Sequence, residues 1–325
     1  MILTYAEAIA SAIKEEMKRD LHLTVIGEDI GRYGGVFKAT KGLFEEFGEK
    51  RVKDTPISET AILGTAIGSA ILGYRVIAEI MYIDFLSIAS DQLINHAAKM
   101  YYMTGGNIKV PIVIRTQCGA GIRNAAQHSQ CLEAWYMHIP GLKVVMPATP
   151  YDAKGLLKSA VRDSNPVLFI EHKKLYKTKG EIPDKEYTVP IGKADIKRQG
   201  KDLTLITNSY MVLVALETAS ILKKEFSLDT EVIDLRSISP IDRETIINSV
   251  KKTNRVVILN EACEQGGIAG EIIAFIQDDA FDYLDFPVLR ICGPNTPVPY
   301  APKLEDFFTL SPERVARKIY KFFRF

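Results

Sequence analysis

At 325 residues the chain is about twice a common domain length, which argues for two moderate domains, each able to bury a core. Hydrophobic residues make up 47% and charged residues 25%, which excludes a disordered or fibrous chain, and 41 Lys and Arg against 40 Asp and Glu leave a net charge of +1. No long-range field therefore favours nucleic acid or an anionic membrane, and a partner must be recognised by shape.

Charges interrupt the first twenty residues and no apolar run reaches membrane-spanning length, so the chain is expected to be cytoplasmic. Its four cysteines, Cys118, Cys131, Cys263 and Cys292, form no C-x-x-C pair and are expected as free thiols.

Thr4-Tyr5-Ala6-Glu7 is a capping box, and Ala8, Ile9, Ala12, Ile13 and Met17 recur at helical spacing, predicting a helix over 4–19. A short β-branched strand at 23–26 runs into Gly27-Glu28-Asp29 and a Gly-rich stretch at 31–35. Strand-like runs at 75–80, 110–115, 143–146 and 167–171 then alternate with helical ones at 59–72, 84–100 and 151–162. Such alternation predicts an α/β fold with a mostly parallel sheet. Periodicity lapses between 172 and 201, read as the domain connection, with domains over 1–185 and 186–325. The second set places strands at 203–206, 231–235, 256–259 and 287–291, helices at 212–226, 243–252 and 267–278, and a last helix after Ser311-Pro312-Glu313. That helix is basic, with Arg314, Arg317, Lys318, Lys321 and Arg324, and Val315, Ile319, Phe322 and Phe323 form its apolar stripe.

No phosphate-binding G-x-x-x-x-G-K-[ST] occurs, and the glycines at 31–35 and 119–121 lack the dinucleotide spacing. A Gly-Asp-Gly followed by Asn, which would hold a divalent metal on a diphosphate, is also missing. Three candidate sites remain. Glu59 opens an Ala- and Gly-rich helix whose Gly64 and Gly68 permit close approach; it is either a first-turn acid complementing the helix dipole or a partly desolvated carboxyl suited to proton traffic with a ring nitrogen. His128 follows a small, polar loop, where it either caps a helix or lies among the ligand-binding loops of a parallel sheet. Asp163-Ser164-Asn165 ends a helix as a polar turn or as an oxygen-rich spot for a hard cation.

Taken in order, the segments 54–59, 89–92, 95–99, 126–130, 140–145, 152–157, 234–240 and 294–300 closely resemble the β subunit of thiamine-diphosphate-dependent 2-oxo acid dehydrogenases, pyruvate and acetoin branches nearest. The resemblance covers essentially the whole chain. It implies two transketolase-like domains, the first binding the cofactor's pyrimidine, in a heterotetramer of two α and two β subunits. The α subunit would hold Mg²⁺ and the diphosphate. It further implies Glu59 as the activating glutamate, Phe85 as the aromatic beside the aminopyrimidine, Ile57 as a backbone contact, Glu28 as an acid of the tunnel joining two active sites, and His128 as the active-site histidine. Ile112, Ala160, Val161, Asp163 and Asn165 match a structural potassium loop. The implied activity is oxidative decarboxylation of pyruvate with acetyl transfer to the lipoyl group of an acyltransferase core, whose subunit-binding domain would dock on the C-terminal domain, with the basic tail as part of that contact. Acetoin or branched-chain oxo acids are alternative substrates. A non-catalytic scaffold of the same fold is the rival, and the presence of both Glu59 and His128 argues against it.

Overall fold

The computed structural model describes residues 1–323, and these divide into two compact units: Met1–Cys118 with Trp135–Ile191, and Gly119–Ala134 with the described residues from Gly192 onward. The expected division at 185/186 thus meets a partition at 191/192, and Gly119–Ala134, the segment bearing His128, goes with the second unit.

In the first unit β1 (Ile2–Thr4) leads into α1 (Tyr5–Arg19), then β2 (Leu23–Gly27), α2 (Leu43–Phe47), β3 (Val52–Asp54), α3 (Glu59–Ile71), β4 (Arg75–Ile80), α4 (Ile83–Leu86), α5 (Ala98–Met103) and β5 (Ile112–Cys118). After α6 (Glu133–Met137) come β6 (Lys143–Val145), α7 (Pro150–Arg162), β7 (Val167–His172) and β8 (Lys179–Glu181). Strands β3-β2-β4-β5-β7-β6 lie side by side, all parallel, while β1 and β8 form a small antiparallel pair.

The capping box at Thr4 is present, its hydroxyl accepting from the Glu7 N–H, and Ala8, Ile9, Ala12, Ile13 and Met17 are all fully buried. This face packs on α7, where Lys154 and Lys158 reach Glu15 and Arg162 reaches Glu16. The helix expected over 84–100 is broken. Ser87 Oγ and Ser90 Oγ donate to the carbonyls of Asp84 and Leu86, giving the backbone an alternative to a continuous ladder. A π-helical turn at Gln92–Ala97 then carries the chain into α5. Gly141, at φ +92°, sits where any Cβ would strike the Ala98 carbonyl, so the 140–145 and 95–99 segments meet by close backbone approach.

The second unit runs β9 (Asp195–Arg198), β10 (Leu203–Thr207), α8 (Met211–Phe226), β11 (Thr230–Asp234), β12 (Ser237–Ser239), α9 (Arg243–Thr253), β13 (Val256–Cys263), α10 (Ile268–Ala280), β14 (Leu289–Gly293), α11 (Pro302–Phe308) and α12 (Pro312–Phe323). Its sheet has the order β14-β13-β10-β11-β9, parallel except for the edge strand β9, which pairs antiparallel to β11. The connection expected to be irregular therefore contributes two strands, β8 and β9. On α12, Val315, Ile319 and Phe323 enter the core, whereas Phe322 is partly exposed; the Phe323 ring meets Phe286 edge-on at 5.3 Å. Arg324, the last cation of the expected basic face, lies outside the described residues.

All four cysteines are free thiols, and among the described residues no helix is long and apolar enough to cross a membrane.

Candidate active site

In the first unit the sheet order reverses between β2 and β4, and parallel sheets bind ligands beyond the carboxyl ends of strands at such a switch point. Glu28 directly follows β2, Ile57 and Glu59 follow β3, and Phe85 lies in α4 just after β4. Two hydrogen bonds tie the loops of this edge together: Asp54 Oδ1 accepts from the Gly31 N–H at 2.6 Å, and the Thr55 N–H donates to the Gly27 carbonyl.

Glu59 is the first residue of α3 and only 7% exposed. Among the described residues its carboxylate makes no hydrogen bond or ion pair. Glu28 Oε1 is likewise buried with no hydrogen-bond partner. Burial raises the Glu28 carboxyl above its ordinary range, and the negative charges of Glu59, Asp29 and Glu79 add to that rise. Two neighbouring acids without donors are an unusual arrangement, because a buried carboxylate normally finds a partner. Ile57 is 80% exposed, leaving its backbone accessible beside them.

The acids just below are the opposite case. Arg115, fully buried, donates to Glu171 Oε1 and Oε2 at 2.6 and 2.8 Å and to Glu79 Oε2 at 2.5 Å, while Gln117 donates to Glu79 and Tyr176 to Glu171. The strand bearing Glu79 also packs tightly on the end of β2, since a Cβ on Gly27 would stand 2.9 Å from the Glu79 backbone carbonyl.

His128 ends a short 3₁₀ turn, Ala126–His128, in the second unit and is half-buried. The preceding loop takes four positive φ angles: Gly119 (+96°), Gly121 (+97°), Arg123 (+65°) and Ala125 (+58°). The last two are non-glycine residues in regions that cost about 1–3 kcal/mol each unless their surroundings hold them. Those surroundings are two acids. Glu305, fully buried in α11, accepts from the N–H groups of Gly121 (2.6 Å) and Arg123 (3.1 Å) and from Arg123 Nη1 (2.6 Å). Glu261 in β13 accepts from the Ala120 N–H at 2.8 Å. A cavity of about 540 Å³ opens beside this loop, lined by Ala126, Ser129, Cys131, Cys263, Pro297 and Phe308 among others. Ser129 is 2% exposed and its Oγ has no partner among the described residues.

The turn after α7 gathers the expected cation ligands with different company. Val161 and Asp163 carbonyls accept from Arg75 Nη1 at 2.7 and 2.8 Å, the Ala160 carbonyl accepts from the Asp163 N–H, and Lys143 pairs with the Asp163 carboxylate. Asn165 donates its N–H and Nδ2 to Asp163 Oδ1, and Ile112 is buried at the start of β5.

The structure thus brings Glu28, Ile57, Glu59 and Phe85 to one sheet edge and places His128 in the other unit. Sequence reasoning missed Glu305, Glu261, Arg123 and the Arg115 network. Positive-φ demand at Gly119-Ala120-Gly121 marked a tight loop, but its acceptor lies about 180 residues on and left no local signal.

The family model described as "Transketolase, pyrimidine binding domain" matches residues 2–179, and "Transketolase, C-terminal domain" matches 192–315. The 2-oxoisovalerate dehydrogenase subunit β of Bacillus subtilis is 48% identical over 97% of this chain and 96% of its own length. The acetoin:2,6-dichlorophenolindophenol oxidoreductase subunit β of the same organism is 47% identical over 97% and 95%. The mitochondrial pyruvate dehydrogenase E1 component subunit β of Dictyostelium discoideum is 48% identical over 94% and 86%. Among solved structures, a split-gene transketolase described as an inactive β4 tetramer aligns over 99% of this chain and 98% of its own with a TM-score of 0.81 at 20% identity, a likeness of fold. The chain belongs to the transketolase-like family of 2-oxo acid dehydrogenase β subunits.

Proposed function

From that membership we propose that the chain acts with an α subunit as the thiamine-diphosphate-dependent first component of a 2-oxo acid dehydrogenase, decarboxylating pyruvate and passing the acetyl group to a lipoyl arm. The observation that carries the reading is Glu59, a buried carboxylate with no partner among the described residues, beside the orphaned Oε1 of Glu28 at the sheet's switch point. Both lack what a ring nitrogen would supply, so the residues present fit the pyrimidine of thiamine diphosphate.

When bound, that cofactor supplies the nucleophilic carbon that attacks the substrate carbonyl and the ring that stores the resulting electron pair. Glu59 would hydrogen-bond the pyrimidine nitrogen and exchange a proton with it, the task of a positioned acid/base group. Glu28, its proton affinity already raised, is placed to exchange that proton. Phe85 would flank the ring and the Ile57 backbone would bond its edge. His128 would handle the proton released as the acetyl group leaves for the lipoyl sulfur. Mg²⁺ and the diphosphate are assigned to the α subunit, since this sequence has no Gly-Asp-Gly…Asn set. Exposed Ile57, Leu72, Ile88, Tyr102, Met103 and Trp135 support assembly, because so many large apolar side chains are rarely left to water in a monomer.

Potassium is proposed at the turn after α7 on the lone pairs that Arg75 leaves free. Docking of the acyltransferase core is assigned to the exposed cations of α12, Arg317, Lys318 and Lys321, where charge acts mainly on encounter rate and salt sensitivity.

The test is reconstitution. Alone with thiamine diphosphate, Mg²⁺ and pyruvate, the chain should release no carbon dioxide; co-expressed with its α subunit it should reduce an artificial acceptor. A panel of pyruvate, acetoin and branched-chain oxo acids ranks the substrates. Turnover by the isolated chain at the rate of the complex would overturn the assignment.

A further inference from the structure

We infer that Glu305 is a positioning residue for His128, holding the loop Gly119–His128 in the backbone conformation that presents the imidazole. The inference rests on the assignment of His128 to acyl transfer proposed above.

The loop cannot hold itself. Two of its four positive-φ residues, Gly121 and Arg123, turn their N–H groups onto the same acceptor, and amides converging in such a turn form an anion-binding nest. A carboxylate of the same unit fills that nest. Glu305 spans both the Gly121 and Arg123 amides and closes on the Arg123 guanidinium, whose other nitrogen, Nη2, donates to Asp306 at 2.6 Å. Four residues separate Arg123 of this latch from His128, and among them Ala125 has φ +58° and ψ −167°, a region that glycine alone adopts freely. Release of the latch frees Ala125 to relax, and the 3₁₀ turn that follows loses its anchor. The motif at 294–300 gains a purpose here: it is the lead into α11, whose Pro302 starts the helix that carries Glu305.

Acyl transfer is sensitive to such a shift, because displacement of a catalytic group by about 1 Å can cost up to about 100-fold in rate. The experiment uses the αβ complex and measures two rates, reduction of an artificial acceptor and acylation of a purified lipoylated domain, with the substrate the wild-type complex turns over. Glu305→Gln keeps the shape and removes the charge. It should slow acylation of the lipoylated domain about 10-fold while acceptor reduction stays within about twofold. The double variant with His128→Ala should be no slower than His128→Ala alone, since a positioning residue has nothing left to position. Should Glu305→Gln fail to assemble, Arg123→Ala leaves both backbone N–H bonds in place and should show the same split at about threefold. Wild-type acylation by the substitution, an equal fall in both rates, or a double variant in which the losses multiply would each overturn the inference while leaving His128 in its role. Wild-type acylation by His128→Ala would remove the His128 assignment and this inference with it.

Discussion

Glu59 and Glu305 are both buried carboxylates, 7% and 0% exposed, yet they live in opposite surroundings. Glu305 is saturated by two backbone amides and a guanidinium. Glu59, with Glu28 beside it, has no donor among the described residues. Burying a carboxylate costs several kcal/mol unless donors or a counter-charge offset it. Glu305 recovers that cost within the fold, so its work is structural. Glu59 finds no donor among the described residues and is left for a partner from outside this chain, which is how a poised functional acid differs from a structural one. Burial alone would not separate them.

The sharpest way to break this contrast is Glu59→Gln in the assembled enzyme. Turnover should fall about 10²–10⁴-fold, the usual loss for one positioned acid/base group, while the melting temperature hardly moves. Near-full turnover with cofactor still bound would return Glu59 to a helix-dipole role.

Stability should respond in reverse. Glu305→Ala leaves two amides and Arg123 without their acceptor and should destabilise the chain by about 2–4 kcal/mol in denaturant titration, whereas Glu59→Ala should cost less than about 1 kcal/mol. Equal losses would erase the distinction.

Glu28→Gln adds a pH test. The native Glu28 carboxyl is raised by burial and by Glu59, so the folded state binds its proton more tightly than the unfolded chain. The stability this brings is full below the unfolded carboxyl range and is lost as pH rises through the native value. The amide escapes that loss. At neutral pH the variant should therefore melt about 1–2 °C higher than wild type, a gain that disappears in acid below pH about 4. A gain constant across pH would point to packing.

The smallest effect is expected from potassium. Arg75 and Lys143 already neutralise the turn after α7, so exchange of K⁺ for tetramethylammonium should lower the melting temperature by no more than about 2 °C. A larger shift would mean that the ion, not Arg75, organises those carbonyls.

Much of this was legible in the sequence for local reasons. The capping box at Thr4, the helical spacing of α1 and the alternation of strand and helix are set by neighbours within a few residues, and all appear as expected. The break at 87–97 was not, because two serines bonding back to the ladder look like ordinary helix-surface residues. Short edge strands such as β3, β8 and β9 were missed because each has only three or four residues and owes its form to the partner strand.

By itself the sequence determined the fold class, through periodicity, and the family, through long motifs in order, because both are written in contiguous residues. Tertiary structure alone decided three things: that Gly119–Ala134 joins the second unit, that Arg115 closes a network with Glu79 and Glu171, and that Glu305 holds the loop before His128. Each depends on a pairing between positions tens to nearly two hundred residues apart. A hydrogen bond between residues far apart in the chain leaves no trace in the spacing around either partner, so which buried acid is saturated and which is left waiting could be read only once the chain had folded.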